Sequence, residues 1–251
     1  MYYHKLNSTR FLKLILVVCH FVVVNVFAQD DSTQVEDVDG QSWMDFRTFY
    51  TINDKWTYDG DYGLRGFLSK ENWRRLYIHP AFVYDANTFI DLRGGVRFIL
   101  TREKDATNTF ELRPWQGVRF LWPKTKWIVL SQYIRFEERF TFGLDDGSFD
   151  FVVRARYRIM AKTPNLRLVS LNQTFYFLTS FEIFGNIGKA IEESFVDRTR
   201  LTFGMGYFIT QSWRAELHYI LQGSNSWTQE GAKLNVRILR LRIRYYINFQ
   251  Y

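Results

Sequence analysis

The sequence predicts an all-β chain: a single antiparallel, up-and-down transmembrane β-barrel of about twelve strands, with ten as the alternative. Three observations predict it. The hydrophobic period is two over most of the chain, the apolar segments run to about ten residues or longer, and no stretch beyond Ala28 approaches 18 consecutive apolar residues. A chain that crosses a membrane without an apolar helix must pair its backbone groups between strands, and only a closed barrel leaves no edge.

Residues 1–28 read as a cleaved signal peptide. Lys5, Arg10 and Lys13 form a positive region, Leu14 to Phe27 a short apolar core, and Val26-Phe27-Ala28 a cleavage site. A retained anchor fits less well, because the core is short and polar Gln29-Asp30-Asp31 follows at once. The only cysteine, Cys19, leaves with this segment, so the mature chain has no thiol, disulfide or cysteine metal site. Removing three basic residues lowers the net charge from +7 to +4. An exported chain rarely meets nucleic acid, so basicity here does not imply that partner. Residues 29–40 are expected to be an N-terminal segment holding a weak first strand, and 41–251 the barrel domain.

Strands follow in order near 42–52, 56–68, 73–84, 88–101, 109–122, 126–140, 149–160, 167–185, 196–210, 213–222 and 232–251. The last is the clearest. Leu239, Leu241, Ile243, Tyr245, Ile247, Phe249 and Tyr251 alternate with Arg240, Arg242, Arg244, Tyr246, Asn248 and Gln250. A helix would scatter these residues around its circumference, whereas a strand separates them onto two faces. Leu241 through Tyr251 are therefore expected to face lipid and to present the terminal strand to the barrel-assembly machinery. Pro80 and Pro114 fall within strands, where each removes a donor and implies a bulge or strand end.

Connections alternate in length. Asn53-Asp54-Lys55, Asp85-Ala86-Asn87, Pro123-Lys124-Thr125, Lys162 to Asn165 and Gln211-Ser212 are tight, whereas Arg102–Asn108, Asn186–Phe195 and Gly223–Gly231 are longer. Short turns belong on the periplasmic side of an outer-membrane barrel, which puts the C-terminus there too. Eleven segments are countable, and bacterial single-chain barrels use even numbers, so a twelfth strand is expected within Thr33–Gly40.

A soluble calycin-like barrel also alternates apolar and charged residues, but turns its apolar face inward. Here that face is unusually aromatic, with Trp56, Tyr58, Tyr62, Phe82, Tyr84, Phe120 and Trp122 placed as an interfacial girdle. Its charged exceptions Arg74, Arg102, Glu138 and Arg237 fall toward the loop ends, where charge facing lipid costs little.

Glu111-Leu112-Arg113-Pro114-Trp115-Gln116, Arg135-Phe136-Glu137-Glu138-Arg139-Phe140, Arg154-Ala155-Arg156-Tyr157-Arg158, Phe181-Glu182-Ile183-Phe184 and Arg200-Leu201 with Gly204-Met205-Gly206-Tyr207 recur in order. Together they resemble the domain of unknown function 2490 family of predicted outer-membrane barrels. The resemblance covers nearly the whole mature chain. It implies a barrel fold and an outer-membrane location, and carries no activity.

Parity gathers 17 basic and 8 acidic residues on the other face. Its expected charge network comprises Arg113, Arg135, Glu137, Arg139, Arg154, Arg156, Arg158, Glu182, Arg200, Arg242 and Arg244. Guanidinium forks bridge carboxylates bidentately, so such a network can simply fill and rigidify the lumen. It can equally line a narrow pore whose partners are small anions. An outer-membrane lipase or acyltransferase, or a conduit for hydrophobic substrates, is the alternative. For an enzyme the inward His79, His218, Ser131 and Ser180 are the raw material, but no catalytic motif accompanies them. No catalytic residue, cofactor or metal is expected.

Overall fold

The computed structural model describes residues 39–67, 73–104, 106–168, 173–187, 196–224 and 233–247. The expected signal peptide, most of the expected extra strand in Thr33–Gly40, and the terminal Phe249 and Tyr251 lie outside the described residues. Among the described residues there is no helix long and apolar enough to cross a membrane.

Thirteen strand segments form one sheet: β1 (Asp39–Thr51), β2 (Trp56–Phe67), β3 (Trp73–His79), β4 (Ala81–Asp85), β5 (Ile90–Glu103), β6 (Thr109–Leu121), β7 (Val129–Gly143), β8 (Phe149–Lys162), β9 (Leu166–Leu168), β10 (Gln173–Ile187), β11 (Val196–Phe208), β12 (Trp213–Ser224) and β13 (Lys233–Ile247). Two pairs of segments are interrupted staves. Both β3 and β4 lie between β2 and β5. They part at Pro80, which lacks a donor, while its carbonyl accepts from Val96 N–H at 3.1 Å. Likewise β9 continues β8 along the same edge of β10, since Phe175 pairs with Leu166 on one side and Tyr207 on the other.

The wall therefore has eleven staves, and it closes where β1 pairs directly with β13 from Asp39↔Val236 to Tyr50↔Ile247. This corrects the expected count. The eleven segments visible in the sequence correspond to the staves, except that 167–185 begins in β9, the end of the β8 stave, before entering β10, and over the described register no further strand stands between the first and the last. With an odd number of up-and-down staves, first and last point the same way, so the closing pair is parallel while all other pairs are antiparallel.

A second correction concerns Lys162–Asn165. It is not a hairpin turn but an interruption within a stave, caused by Pro164. Thr163 N–H still donates to Phe177 O at 2.9 Å, and Thr163 Oγ1 accepts from Phe177 N–H at 3.0 Å. Pro114, by contrast, sits inside an unbroken β6, where its pairing with Val96 continues.

Turns at one end of the barrel share a device. The side-chain oxygens of Asn53, Asn87, Thr125 and Thr210 each accept backbone N–H bonds from residues two and three positions on. The opposite end carries the connection 144–148, where Gly147 takes a left-handed φ of 68°.

Inward positions are odd from β1 to β7 and even in β8 and from β10 to β13, as the alternation of burial shows; the interruption at Pro164 shifts the register by one, so parity reverses in β9. The outward face is apolar and bare: Leu76, Phe98, Ile134, Phe181 and Leu239 are each 40–52% exposed. Few apolar side chains are buried, and those few, including Trp43, Tyr77, Trp115, Tyr176 and Phe184, point inward with the charges. This is a barrel whose polar groups are inside.

Candidate functional site: the arginine-lined lumen

Each inward strand contributes every second residue to the lumen, and neighbouring staves bring opposite charges level. Glu137 on β7 faces Arg154 on β8 in register and takes a hydrogen bond from its Nε at 3.0 Å. Arg113 Nη1 and Arg135 Nε lie 3.3 and 3.0 Å from the same carboxylate. Glu182 on β10 gathers Arg156 at 2.5 Å, Arg158 at 3.6 Å and Arg200 at 4.0 Å. Arg139 donates to Glu111 from Nε at 2.8 Å and from Nη2 at 3.2 Å, a bidentate grip. Arg242 lies between Asp45 at 3.1 Å and Glu216 at 3.8 Å, and Arg244 reaches Glu216 at 3.0 Å. The residues anticipated as one network thus form several clusters, each centred on a carboxylate.

Further clusters extend the pattern. Arg240 Nε lies 2.6 Å from Asp45 as an ion pair, Asp59 pairs with Arg47, and Asp91 lies between Arg93 and Arg119. Arg97 reaches Asp61 at 3.4 Å.

Depth sorts some of these charges. The side chains of Asp45, Asp91, Glu137 and Glu216 are 0–1% exposed, whereas those of Arg119, Arg139 and Arg158 reach 26–27%. The longest reach belongs to these three arginines, whereas Arg113 and Arg135 are as buried as Glu111 and Glu182, at 7% and 5% against 8% and 7%. Seventeen arginines and five carboxylates of the described residues line a lumen cavity of about 530 Å³. Its surface is therefore more cationic than the residue count of the inward face suggests.

Aromatic rings hold the arginines as well. Trp43 lies beneath Arg65, Arg200 and Arg240 with 4.0, 5.2 and 5.1 Å between guanidinium carbon and ring centre. Phe184 receives Arg154, Arg156 and Arg200 at 5.1, 5.2 and 4.8 Å. Sequence reasoning had placed the aromatics on the outward face and missed these inward rings. It also missed Arg198 and Lys162, which share parity with Arg200 and with Arg158. Lys162 had been assigned to a turn, and its ammonium in fact lies 3.7 Å from the centre of the Tyr176 ring.

The histidines join this network. His79 Nδ1 is 3.0 Å from Arg97 Nη2, and His218 Nε2 is 3.1 Å from Glu216. Among the described residues, neither ring forms a hydrogen bond with Ser131 or Ser180. No group of three or more His, Cys, Asp or Glu among these residues is placed to hold a metal ion. On the outward face of β13, Leu241 is exposed, Ile243 and Ile247 are half-buried, and Tyr245 stacks on Trp213 at 4.4 Å between ring centres.

A family model described as "Protein of unknown function (DUF2490)" matches residues 40–233. Among solved structures, the NanC porin in a rhombohedral crystal form is similar, with a TM-score of 0.47 at 10% identity. That match covers 84% of this chain and all of the porin chain. No curated protein sequence matches the chain.

Proposed function

Starting from the fact that the chain belongs to the family described as Protein of unknown function (DUF2490), we propose that it is an outer-membrane barrel whose narrow lumen passes small anions in preference to cations. The observation that carries the reading is the excess of positive charge at the cavity surface: seventeen arginines line it against five carboxylates, while Asp45, Asp91, Glu111 and Glu216 are not among the lining residues. Field lines concentrate in a narrow, low-dielectric channel, so a cationic lining biases permeation. The bare apolar outer face supports the membrane setting, since an apolar surface of this extent in water would drive association.

The test is conductance across a planar bilayer under a salt gradient. The expected reversal potential has the sign of anion preference, and rising salt weakens it through screening. Replacing Arg154, Arg156 and Arg158 together with Gln lowers the preference. A second reading, a purely structural barrel, is favoured by the bracketing of Glu137 and Glu182 by three arginines each. It requires no steady conductance from the wild type. Stable cation-selective conductance overturns both.

A further inference from the structure

Part-way along the lumen, five nitrogen donors from four neighbouring staves form no hydrogen bond among the described residues. They are Trp115 Nε1, Arg135 Nε and Nη2, Arg97 Nε and His79 Nε2. Trp115, Arg135 and His79 are only 6%, 4% and 6% exposed, and all four residues line the cavity. They form one group. The Arg135 guanidinium lies 3.9 Å from the centre of the Trp115 ring, and the His79 and Trp115 ring centres are 5.3 Å apart. Arg97 Nη2 is 3.0 Å from His79 Nδ1.

The tautomer of His79 follows from that last contact. A guanidinium only donates, so Nδ1 accepts and the neutral ring carries its proton on Nε2. Asp61 is 3.8 Å from Nδ1, too far for a hydrogen bond that would reverse the assignment. Every unmatched atom in the group is therefore a donor. Indole N–H and guanidinium groups have no accepting mode at all, so only an acceptor can complete the group. Two cations in the set favour an anion, and the planar fork of Arg135 suits an acceptor with two coplanar oxygens.

We propose that His79, Arg97, Trp115 and Arg135 form a binding subsite for the carboxylate of a small organic monoanion. The proposal deepens the anion-favouring reading of the lumen by giving it one discrete station. Glu137 is the ion-pair partner of Arg135 on the wall side, 3.0 Å from Nε without a hydrogen bond to it, so the Nε–Nη2 edge of the fork is left for the ligand. Phosphate shares the charge but not the planarity, and chloride has neither oxygen nor shape.

The experiment is equilibrium binding to the detergent-folded full barrel, by titration calorimetry with acetate, inorganic phosphate and chloride in turn. Acetate is expected to bind saturably at one site per chain, with phosphate and chloride weaker. Trp115→Phe keeps a ring under Arg135 and removes only the N–H, so acetate affinity falls about tenfold, the worth of one hydrogen bond to a charged group. His79→Phe, which removes the Nε2 donor from another stave, gives a loss of the same order and serves if the first variant does not fold. Glu138→Gln, on the outward face beside Gln116, leaves acetate affinity within twofold. Undiminished binding in both donor variants overturns the subsite, as does an absence of saturable acetate binding. Equal binding of chloride also overturns it and leaves only a diffuse cationic lining. Binding is read without any membrane current, so a barrel that holds acetate but does not conduct refutes the pore and keeps the subsite.

Discussion

The hydroxyl of Tyr77 donates to Asp45 at 2.7 Å across an entire intervening strand. Register explains the reach. Tyr77 on β3 pairs with Gly63 on β2, which pairs with Asp45 on β1, so the three residues form one row. A Cβ at Gly63 would stand 2.5 Å from the Tyr77 ring, so the missing side chain is what lets the ring lie flat across the row. The same row recurs across the lumen: Tyr176 on β10, Gly206 on β11 and Glu216 on β12, with the tyrosine hydroxyl donating to the carboxylate.

These rows make the two glycines obligatory. Gly206→Val is expected to drive the Tyr176 ring off its seat and to cost about 1–3 kcal/mol through overpacking, plus the loss of the bond to Glu216. Urea unfolding of the barrel in vesicles measures this. Unchanged stability would show that the ring has other room in the lumen.

Glu137 has Arg113, Arg135 and Arg154 around it and is almost fully buried. Glu137→Gln leaves three buried cations without their counter-charge, and a loss of about 3–5 kcal/mol is expected from breaking a buried ionic group on one side. Its neighbour Glu138 points outward and meets only Gln116, at 3.4 Å. Glu138→Gln should change stability by no more than about 0.5 kcal/mol. The paired unfolding curves decide it, and equal effects would contradict the assigned parity.

The outward face supplies a depth test. Phe98 sits well inside β5, 41% exposed, while Phe120 stands next to the last residue of β6 at the tight-turn end. In lipid, Phe98→Arg is expected to cost about 2–4 kcal/mol and Phe120→Arg about 0–1 kcal/mol. Folding yield into vesicles, followed by the faster gel migration of the unboiled form, reads the difference. The reverse order would displace the midplane.

At the opposite end, Asp146 accepts hydrogen bonds from Ser148 N–H at 3.0 Å and Ser148 Oγ at 2.8 Å. These bonds hold its carboxyl below the usual carboxylate range. A depressed value stabilises the loop above the ordinary pKa, and that contribution is lost as pH falls through the folded one. With the intrinsic base-catalysed rate divided out, the protection of the Ser148 amide should therefore fall on acidification, and Asp146→Asn should remove the dependence. A wild-type loop that is equally protected at acid pH would refute the linkage.

Much of this was legible from alternation alone. Period two separates Arg154, Arg156 and Arg158 from Phe151, Val153 and Ala155 without any tertiary knowledge, because side chains on a strand alternate between two faces. What alternation cannot read is depth and company. Glu137 and Arg139 have the same parity, yet one ends against the wall and the other leans into the lumen. Trp115 and Tyr77 share parity with Arg113 and Arg75, but only the tertiary arrangement shows which guanidinium groups stack on them, Arg135 on the first and Arg65 and Arg97 on the second. Pro164 misled for a local reason, since a residue without a donor reads as a turn even where the chain carries straight on.

The odd stave count has a hereditary consequence. Sheets of this kind lengthen or shorten most simply by duplicating or deleting a hairpin, which changes the number by two and leaves its parity untouched. Descendants reached that way retain the parallel β1–β13 seam, however wide their walls become. Converting to an even barrel instead demands one unaccompanied strand and sends one chain terminus to the other rim. Parity is thus a lineage marker that can outlast recognisable sequence.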